Sequence, residues 1–505
     1  MRFPLAALCL LLLALAAFWP RLTTEQWLGT EARRVQIALE MHASGNWLVP
    51  TLGQEPTFAK PPLYYWVLDA IVPLLGTTPF ALRLPALLGF LLLVWATFWH
   101  FHDVGETKTA WLASLGILCA PAVLHDGTTA EIDPLFAALT ALSLLLIARG
   151  IAFSGPRALC AGGIAGGLAL LVKGPPYLLF FAGLLLVWWR HRRLAGLWRV
   201  LVPLVAVPLC YYVPLLAKVD AAIVFDVAAT ESVGRVAHWE FEHLLDVPLY
   251  LARAALIALP FGFFAPYEHW GARSAWLQRG DLCMRLCLAG AVSGVCLLVF
   301  FPGRPNRYLL PAVPLLVIAM APRVAAFARA GTPLLGWPQH LVRGIAVLAG
   351  GLLVVTPFVR HPAAGALVPL WLFLGLGALL VRTRVTFVAA ILLAPVAGVW
   401  ALAGAPLAAT PRIHQLAAPV ILREVQARGA TDLATRGHFP AQVLVPAGLL
   451  VPGDERMQRQ PAGRWLLVED PDRRVEFDAA RHPAYVDRVR LRIPGKSLVL
   501  QERRQ

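Results

Sequence analysis

The sequence predicts an almost entirely α-helical protein that crosses a membrane many times and ends in a small α/β domain. Of its 505 residues, 58% are hydrophobic and 14% are charged, whereas soluble proteins have about 45–50% apolar and about 25% charged residues. The arginines and lysines recur in short clusters between long apolar stretches, a pattern typical of loops between membrane spans. We therefore expect no nucleic-acid partner despite the net charge of +15, because such a partner needs basic residues gathered on one soluble face.

The first apolar stretch follows Met1 and Arg2 and is about long enough to cross a bilayer, which takes roughly 20 residues. A cleaved signal peptide is an alternative, since Ala14 and Ala16 loosely satisfy the small-residue rule, but we expect a retained span. Counting apolar stretches predicts about 13 transmembrane helices. They lie near residues 4–20, 80–101, 109–125, 133–149, 158–173, 176–189, 200–217, 248–266, 285–301, 308–322, 342–359, 364–382 and 386–406.

The basic loops predict the topology. With this count, the arginine clusters in residues 190–199, 273–285, 323–343 and 382–384 all fall on one side, which the positive-inside rule makes the cytoplasm. The apolar segment 61–76 is short and contains Asp69. A full crossing there would move every later basic loop outside, so we predict an interfacial or re-entrant helix.

The transmembrane domain is predicted to cover residues 1–410 and a small soluble domain on the outer side to cover residues 411–505. Charged residues return after Thr410, with short strands expected near 465–468 and 486–493 and a helix near 421–428. The seven cysteines are scattered through apolar segments without metal-like spacing, so we assign them no chemistry.

Ionisable residues at the outer ends of the spans are candidates for function, because a charge in lipid is costly. Glu31 and Arg33 begin an amphipathic stretch. The alternative for Glu31 is a purely structural role, because the helix dipole favours a carboxylate in the first turn of a helix. Lys60 precedes two prolines and the aromatic Tyr64, which puts an ammonium at headgroup depth, where it could bind a phosphate. Its alternative is a snorkelling lysine in an aromatic belt.

Three carboxylates, Asp126, Glu131 and Asp133, lie at the entrance to a span. Asp133, which precedes Pro134, could be an ordinary helix N-cap. Together with further polar clusters at span ends, they would give a site with several cations and a few carboxylates, which suits a phosphate leaving group and an acid/base partner. These further clusters contain Lys173, Glu231, Arg235, Arg307 and Tyr308.

The order of motifs from about residue 28 to residue 314 resembles the GT-C glycosyltransferases, the multi-spanning family of the lipid A aminoarabinose transferase and the protein O-mannosyltransferases. The matching motifs are Thr30-Glu31-Ala32-Arg33, Ser44-Gly45-Asn46-Trp47, Ala59-Lys60-Pro61-Pro62 with Tyr64-Tyr65-Trp66, Ala81-Leu82-Arg83-Leu84-Pro85, Asp133-Pro134-Leu135-Phe136, Lys173-Gly174-Pro175 and Tyr308-Leu309-Leu310-Pro311.

The resemblance implies a transferase of a bacterial inner membrane with its active site on the periplasmic side. Its donor would be a sugar linked to a polyprenyl (undecaprenyl) phosphate, its acceptor a lipid, glycan or protein, and membrane lipid would surround it. Lys60 and Arg235 would bind the phosphate, Asp133 would support the site, and Glu31 or Asp133 would act as base. The remaining candidates for substrate and phosphate binding are Arg33, Tyr64, Lys173, Glu231, Arg307 and Tyr308.

Three positions depart from the family pattern. Thr30 stands where the family has its first-loop aspartate, which leaves the general base open. Ala59 and Ser232 replace a glutamate and a histidine that supply a metal site in the aminoarabinose branch, so we expect no bound metal or other cofactor here and a different donor or acceptor. Two alternatives remain: a diverged non-catalytic envelope scaffold, favoured by Thr30, and a transporter or flippase, disfavoured by the absence of a visible repeat and of midplane charges.

Overall fold

The computed structural model describes residues 3–23, 31–52, 55–192, 194–229, 247–257, 261, 279–301 and 306–329, short pieces within 339–396, and strands at 433–436, 465–469, 485–493 and 496–503. Its contacts group the chain into two compact units. The first unit comprises Met1–Thr23, Ala59–Tyr64 and Arg83–Ala405, and the second comprises Thr24–Phe58, Tyr65–Leu82 and Pro406–Gln505. The domain boundary predicted at residue 410 stays a prediction.

The described part of the chain is mostly helical. In chain order its helices are α1 (Phe3–Leu22), α2 (Glu31–Ser44), α3 (Leu63–Leu75), α4 (Pro79–Asp103), α5 (Thr107–Leu118), α6 (Pro121–Asp126), α7 (Ile132–Ala152), α8 (Pro156–Lys173), α9 (Pro176–Arg192), α10 (Trp198–Leu216), α11 (Ala221–Ala229), α12 (Val247–Ile257), α13 (Arg279–Leu298) and α14 (Ala312–Arg329).

Helices α1, α4, α7, α8 and α10 are the 5 in the described residues that are long and apolar enough to cross a membrane. The chain is therefore a multi-pass membrane protein, as the composition indicated. The count of thirteen spans stays a prediction, because those expected at 342–359, 364–382 and 386–406 lie wholly or largely outside the described residues.

One predicted span is wrong as a single helix. In place of a continuous helix over 109–125, α5 ends at Leu118 and α6 begins at Pro121. Ala120 between them has extended backbone, with φ −63° and ψ 129°. A proline lacks a backbone N–H and disfavours helical geometry in the residue before it, so Pro121 interrupts the helix.

Helix α7 lies at the centre of the first unit, and 89% of its most apolar 18-residue stretch is buried. Helix α8 packs between α7 and α10, with glycines at both contacts. A Cβ on Gly162 would lie 2.5 Å from Ile147 Cγ1 on α7, and one on Gly163 would lie 2.4 Å from Val200 O on α10. Such close approach of backbones stabilises helix pairs where lipid gives no hydrophobic drive for their association.

Helices α9 and α13 cross in the same way. A Cβ on Gly183 would lie 2.1 Å from Ala289 O, so only glycine fits there without a shift. Beside it, Ser293 Oγ accepts a hydrogen bond from Gly183 N at 3.0 Å and donates one to Leu179 O at 2.8 Å. Helix α13 also contacts α7 and α14, and these contacts position the turn before α14 near the start of α7.

The second unit contains the rest of the first long loop. Helix α2 is followed by a hairpin in which β1 (Thr51–Leu52) pairs antiparallel with β2 (Glu55–Pro56). His42 Nδ1 on α2 lies 2.8 Å from Asp69 Oδ1 on α3, which ties these helices together. Segment 61–76 is helical as predicted. At 13 residues, α3 is only about 20 Å long, too short for a full crossing.

The last part of the chain contains a sheet of four strands in the order β3-β4-β6-β5. The strands are β3 (Leu433–Arg436), β4 (Trp465–Glu469), β5 (Tyr485–Ile493) and β6 (Lys496–Arg503). Strands β4 and β5 lie where the pattern predicted strands, whereas β3 and β6 were not predicted. The helix expected near 421–428 lies outside the described residues, so the α/β domain itself stays a prediction.

Candidate functional site

The site begins at the first turn of α7. Glu131 precedes the helix in extended conformation, with φ −109° and ψ 160°, and its side chain makes no capping hydrogen bond. The N-cap position therefore belongs to Glu131, and the alternative in which Asp133 is an ordinary N-cap is wrong. Asp133 lies inside the first turn, and its carboxylate contacts other elements.

Lys173 is the last residue of α8 and forms an ion pair with Asp133. The side chains of Lys173 and Asp133 are only 7% and 5% exposed. The Lys173 ammonium lies 3.8 Å from the ring centroid of Tyr308 and 5.3 Å from that of Phe136. The charge of this buried lysine is thus offset by one carboxylate and by the negative faces of two aromatic rings.

Gly174 determines how the chain leaves Lys173. Its φ of 84° and ψ of −144° are accessible to glycine and strained for other residues. The chain reverses there, and α9 begins at Pro176. The Lys-Gly-Pro motif therefore ends one helix at the lysine and starts the next within three residues.

Arg307 brings a second cation to Asp133. It lies in the 3-10 turn Asn306–Leu309 before α14, and its Nε is 3.4 Å from Asp133 Oδ2 while its Nη1 is 3.5 Å from Glu131 Oε1. Glu131, Asp133, Lys173 and Arg307 form what we term the ion-pair cluster. Two cations match two carboxylates in it. Of these four side chains, Arg307 is the most exposed, at 32%.

The structure therefore joins four residues of the predicted site directly: Asp133, Lys173, Arg307 and Tyr308. Lys60, half-buried, and Tyr64, fully buried, belong to the same unit. Glu31 is the first residue of α2 and is fully buried, and it belongs with Arg33 to the second unit. Glu231 and Arg235 lie outside the described residues, as do Thr30 and Ser232. The roles assigned to all of these residues stay predictions.

Glu131 of the ion-pair cluster and Phe136 beside Lys173 were not assigned to the site from the sequence. Glu131 was noted only as one of three carboxylates, and Phe136 only as part of a motif. Glu131 lies two residues before Asp133 in the same acidic cluster at the start of a span, and this was the available signal. Within the described residues, no group of three or more His, Cys, Asp or Glu side chains could hold a metal ion.

The ion-pair cluster holds its four charged side chains in place through their contacts with one another. Buried charges act in a medium of low dielectric, where their interactions are stronger than in water. Lys173 and Asp133 hold each other at the ends of two packed helices, while the guanidinium of Arg307 is partly exposed and has five N–H donors.

Comparisons with known proteins match these elements. The family model described as dolichyl-phosphate-mannose-protein mannosyltransferase matches residues 59–216, which include Lys60, Asp133 and Lys173. The undecaprenyl phosphate-alpha-4-amino-4-deoxy-L-arabinose arabinosyl transferase of Edwardsiella ictaluri is 27% identical over 67% of this chain and 64% of its own length. The corresponding transferase 1 of Pseudomonas fluorescens is 30% identical over 32% of this chain and 30% of its own length. The matched regions thus span less than two thirds of these relatives.

Two crystal structures of ArnT from Cupriavidus metallidurans are similar over nearly the whole chain. The structure bound to undecaprenyl phosphate superposes with a TM-score of 0.67 and 19% identity, covering 99% of this chain and 97% of ArnT. The apo structure gives a TM-score of 0.70 and 19% identity, covering 98% and 97%. The chain therefore has the ArnT fold, in agreement with the resemblance drawn from the motifs.

Proposed function

We propose that the chain is a glycosyltransferase that moves a sugar from a polyprenyl-phosphate carrier, of the undecaprenyl phosphate type, to an acceptor of the cell envelope. The reaction takes place at the periplasmic face of a bacterial inner membrane. The observation that carries this proposal is the ion-pair cluster, a buried set of charges at one end of α7 and α8 in a fold shared with a protein crystallised with undecaprenyl phosphate.

Arg307 is the residue of the cluster best placed to bind the phosphate. Its partly exposed guanidinium can turn two N–H groups toward a phosphate oxygen pair, a geometry that lysine does not offer. As the bond from the anomeric carbon to the phosphate oxygen breaks, negative charge accumulates on the departing phosphate. A cation already held in place stabilises that charge without reorganisation. Lys60 and Arg235 are proposed as further phosphate ligands.

Asp133 acts as a positioning residue in this proposal. Its Oδ1 is paired with Lys173 and its Oδ2 with Arg307, so both carboxylate oxygens are already engaged by cations. Glu31 is therefore the better candidate for the base that deprotonates the acceptor hydroxyl or orients it. The acceptor can be a lipid, a glycan or a protein, because the cluster recognises the donor phosphate alone.

The test separates donor binding from transfer. Purified protein in lipid nanodiscs is titrated with undecaprenyl phosphate, and binding is measured by native mass spectrometry. Label transfer from a set of undecaprenyl-phosphate sugars to envelope extract is measured in parallel. Arg307→Gln should weaken binding about tenfold and lower transfer about 100-fold or more, and Lys60→Ala should lower both. Lys108→Gln, which removes an exposed lysine on α5, is the matched control and should change neither.

Two outcomes would contradict the proposal. Wild-type protein that binds undecaprenyl phosphate but transfers no sugar from any donor would favour a non-catalytic scaffold. Binding and transfer that are the same in Arg307→Gln, Lys60→Ala and the control would remove the phosphate site from these residues.

A further inference from the structure

In the segment that joins α9 to α10, of which residues 190–192 and 194–199 are described, two residues adopt left-handed backbone geometry. Leu194 has φ 57° and Gly196 has φ 77°. Successive turns are closed by hydrogen bonds from Leu197 N to Leu194 O and from Arg199 N to Gly196 O, both 3.0 Å. A leucine at positive φ is uncommon and costs free energy. The segment therefore has a defined backbone conformation. We term it the basic loop.

Exposed tryptophans and arginines alternate in and around the basic loop. Trp189 and Trp198 are each 62% exposed, one near the end of α9 and the other at the start of α10. Arg190 and Arg192 are exposed beside the first tryptophan. The guanidinium of Arg199 lies 4.9 Å from the ring centroid of Trp198. Such amphipathic rings with adjacent cations are typical of the lipid headgroup layer.

Contacts with α8 add a further cation to this surface. A Cβ on Gly196 would lie 3.3 Å from Arg199 Nη1 and 3.4 Å from Leu159 Cδ1, so the arginine folds back over the loop and the loop rests on the first turn of α8. Arg157 lies exposed two residues before Leu159. The basic loop and the start of α8 thus present a shared basic surface.

The stretch of sequence that forms this surface contains no carboxylate. Residues 134–219 contain neither aspartate nor glutamate. Among the ion pairs of the described residues, those of Arg149 and Lys173 reach carboxylates outside that stretch, Asp103 and Asp133, while none is recorded for Arg190, Arg192 or Arg199. Among the described residues, the arginines of the basic loop therefore have no carboxylate partner, and an anionic ligand would match their charge.

The basic surface lies at the opposite end of α8 from the ion-pair cluster. Lys173 is the last residue of α8 and Pro156 is the first, and 18 residues of helix span about 27 Å, close to the thickness of the bilayer core. A ligand at the basic loop would therefore lie in the opposite leaflet from a ligand at the ion-pair cluster, and it would be distinct from the donor.

We propose that the basic loop binds the phosphodiester headgroup of an anionic glycerophospholipid in the cytoplasmic leaflet. Arg190 and Arg199 pair with the phosphate, and Trp189 and Trp198 pack beside the glycerol and upper acyl chain. A lipid fits better than a soluble phosphate, because the two exposed tryptophans lie where the cations meet the apolar surfaces of α9 and α10.

The test compares an anionic and a zwitterionic lipid that have the same acyl chains. Purified protein is titrated with phosphatidylglycerol and with phosphatidylcholine of the same acyl chains, and bound lipid is counted by native mass spectrometry. The wild type should prefer phosphatidylglycerol, and Arg190→Gln/Arg199→Gln should lower that preference about 30-fold. Arg190→Lys/Arg199→Lys should keep most of it. Lys108→Gln/Lys218→Gln, which removes two exposed lysines elsewhere, should keep all of it.

Three results would overturn this proposal. The first is equal binding of the two lipids by the wild type. The second is an equal loss of preference in Arg190→Gln/Arg199→Gln and in the control Lys108→Gln/Lys218→Gln. The third is displacement of the lipid by glycerol phosphate at the same concentration. Thermal unfolding in detergent checks that each variant is folded. Donor binding by the same variants should be unchanged, so the outcome does not depend on the proposed transferase activity.

Discussion

Lys173 at the end of α8 forms a buried ion pair with Asp133 in the first turn of α7. This contact joins the two ends of a helical hairpin, and the same carboxylate also reaches Arg307. Removal of either partner leaves an uncompensated charge in a site of low dielectric, which is more harmful than removal of both.

We therefore expect Lys173→Met or Asp133→Asn to lower the free energy of unfolding by about 3–5 kcal/mol. The double variant Lys173→Met/Asp133→Asn should be destabilised by less than the sum of the two single changes, because no charge is left unpaired between these positions. Thermal or chemical unfolding in detergent measures the cycle. Strict additivity would show that the two side chains do not interact.

A second prediction concerns Glu131, which pairs with Arg307. Glu131→Gln should lower transfer about tenfold by loosening Arg307, whose other carboxylate partner, Asp133, remains. Donor binding should change less than the rate of transfer, since the guanidinium stays in the site. Asp126→Asn is the matched control, because that carboxylate contacts only its neighbour His125 among the recorded ion pairs. Equal effects of the two changes would argue against a positioning role for Glu131.

A third prediction concerns the turn after Lys173. Gly174→Ala should cost about 1–2 kcal/mol, since alanine is strained at a φ of 84°. Gly155→Ala is the control: Gly155 has φ −91° and the added Cβ would come no closer than 3.6 Å to any atom. It should be neutral or slightly stabilising. Unfolding measurements on both variants decide whether backbone strain or simple loss of glycine is responsible.

A fourth prediction concerns the crossing of α9 and α13. Gly183→Ala should lower stability by about 1–3 kcal/mol, because the new methyl group would collide with Ala289 O and Ser293 Oγ. Gly344→Ala, where a Cβ meets nothing within 4 Å, should be tolerated. Comparing the melting temperatures of the two variants tests the crossing. A similar melting temperature for both would mean that the helices separate easily at Gly183.

Hydropathy was sufficient to predict the membrane class and most described helices, because a lipid-facing helix must be apolar along its length. It missed the interruption before Pro121, since composition averages over a single residue that lacks a backbone N–H. Strands β3 and β6 were also missed. Strand β6 begins at Lys496 and ends with Gln501-Glu502-Arg503, and such polar ends hide a short strand from pattern reasoning.

The site was predictable in part. Asp133, Lys173, Arg307 and Tyr308 were identified as functional candidates because charged and polar groups at span ends are unusual, and the motif order matched a known family. Their pairing was not predictable, since Arg307 lies 174 residues after Asp133 in the sequence, and only the packing of α13 and α14 against α7 brings them together. The alternative of Asp133 as a helix N-cap was wrong, because the sequence pattern at a helix start does not show that distant residues, Lys173 and Arg307, pair with its carboxylate.

The glycine contacts of α8 have a mechanical consequence. At Gly162 and Gly163 the backbone of α8 lies close to the neighbouring helices. Few side chains separate the helices there, so α8 cannot rotate without a shift of its neighbours. The position of Lys173 at the end of α8 then depends on the helix contacts at Gly162 and Gly163. A substitution at Gly162 or Gly163 would therefore be expected to slow the proposed transfer by shifting Lys173, even though no residue of the ion-pair cluster is changed.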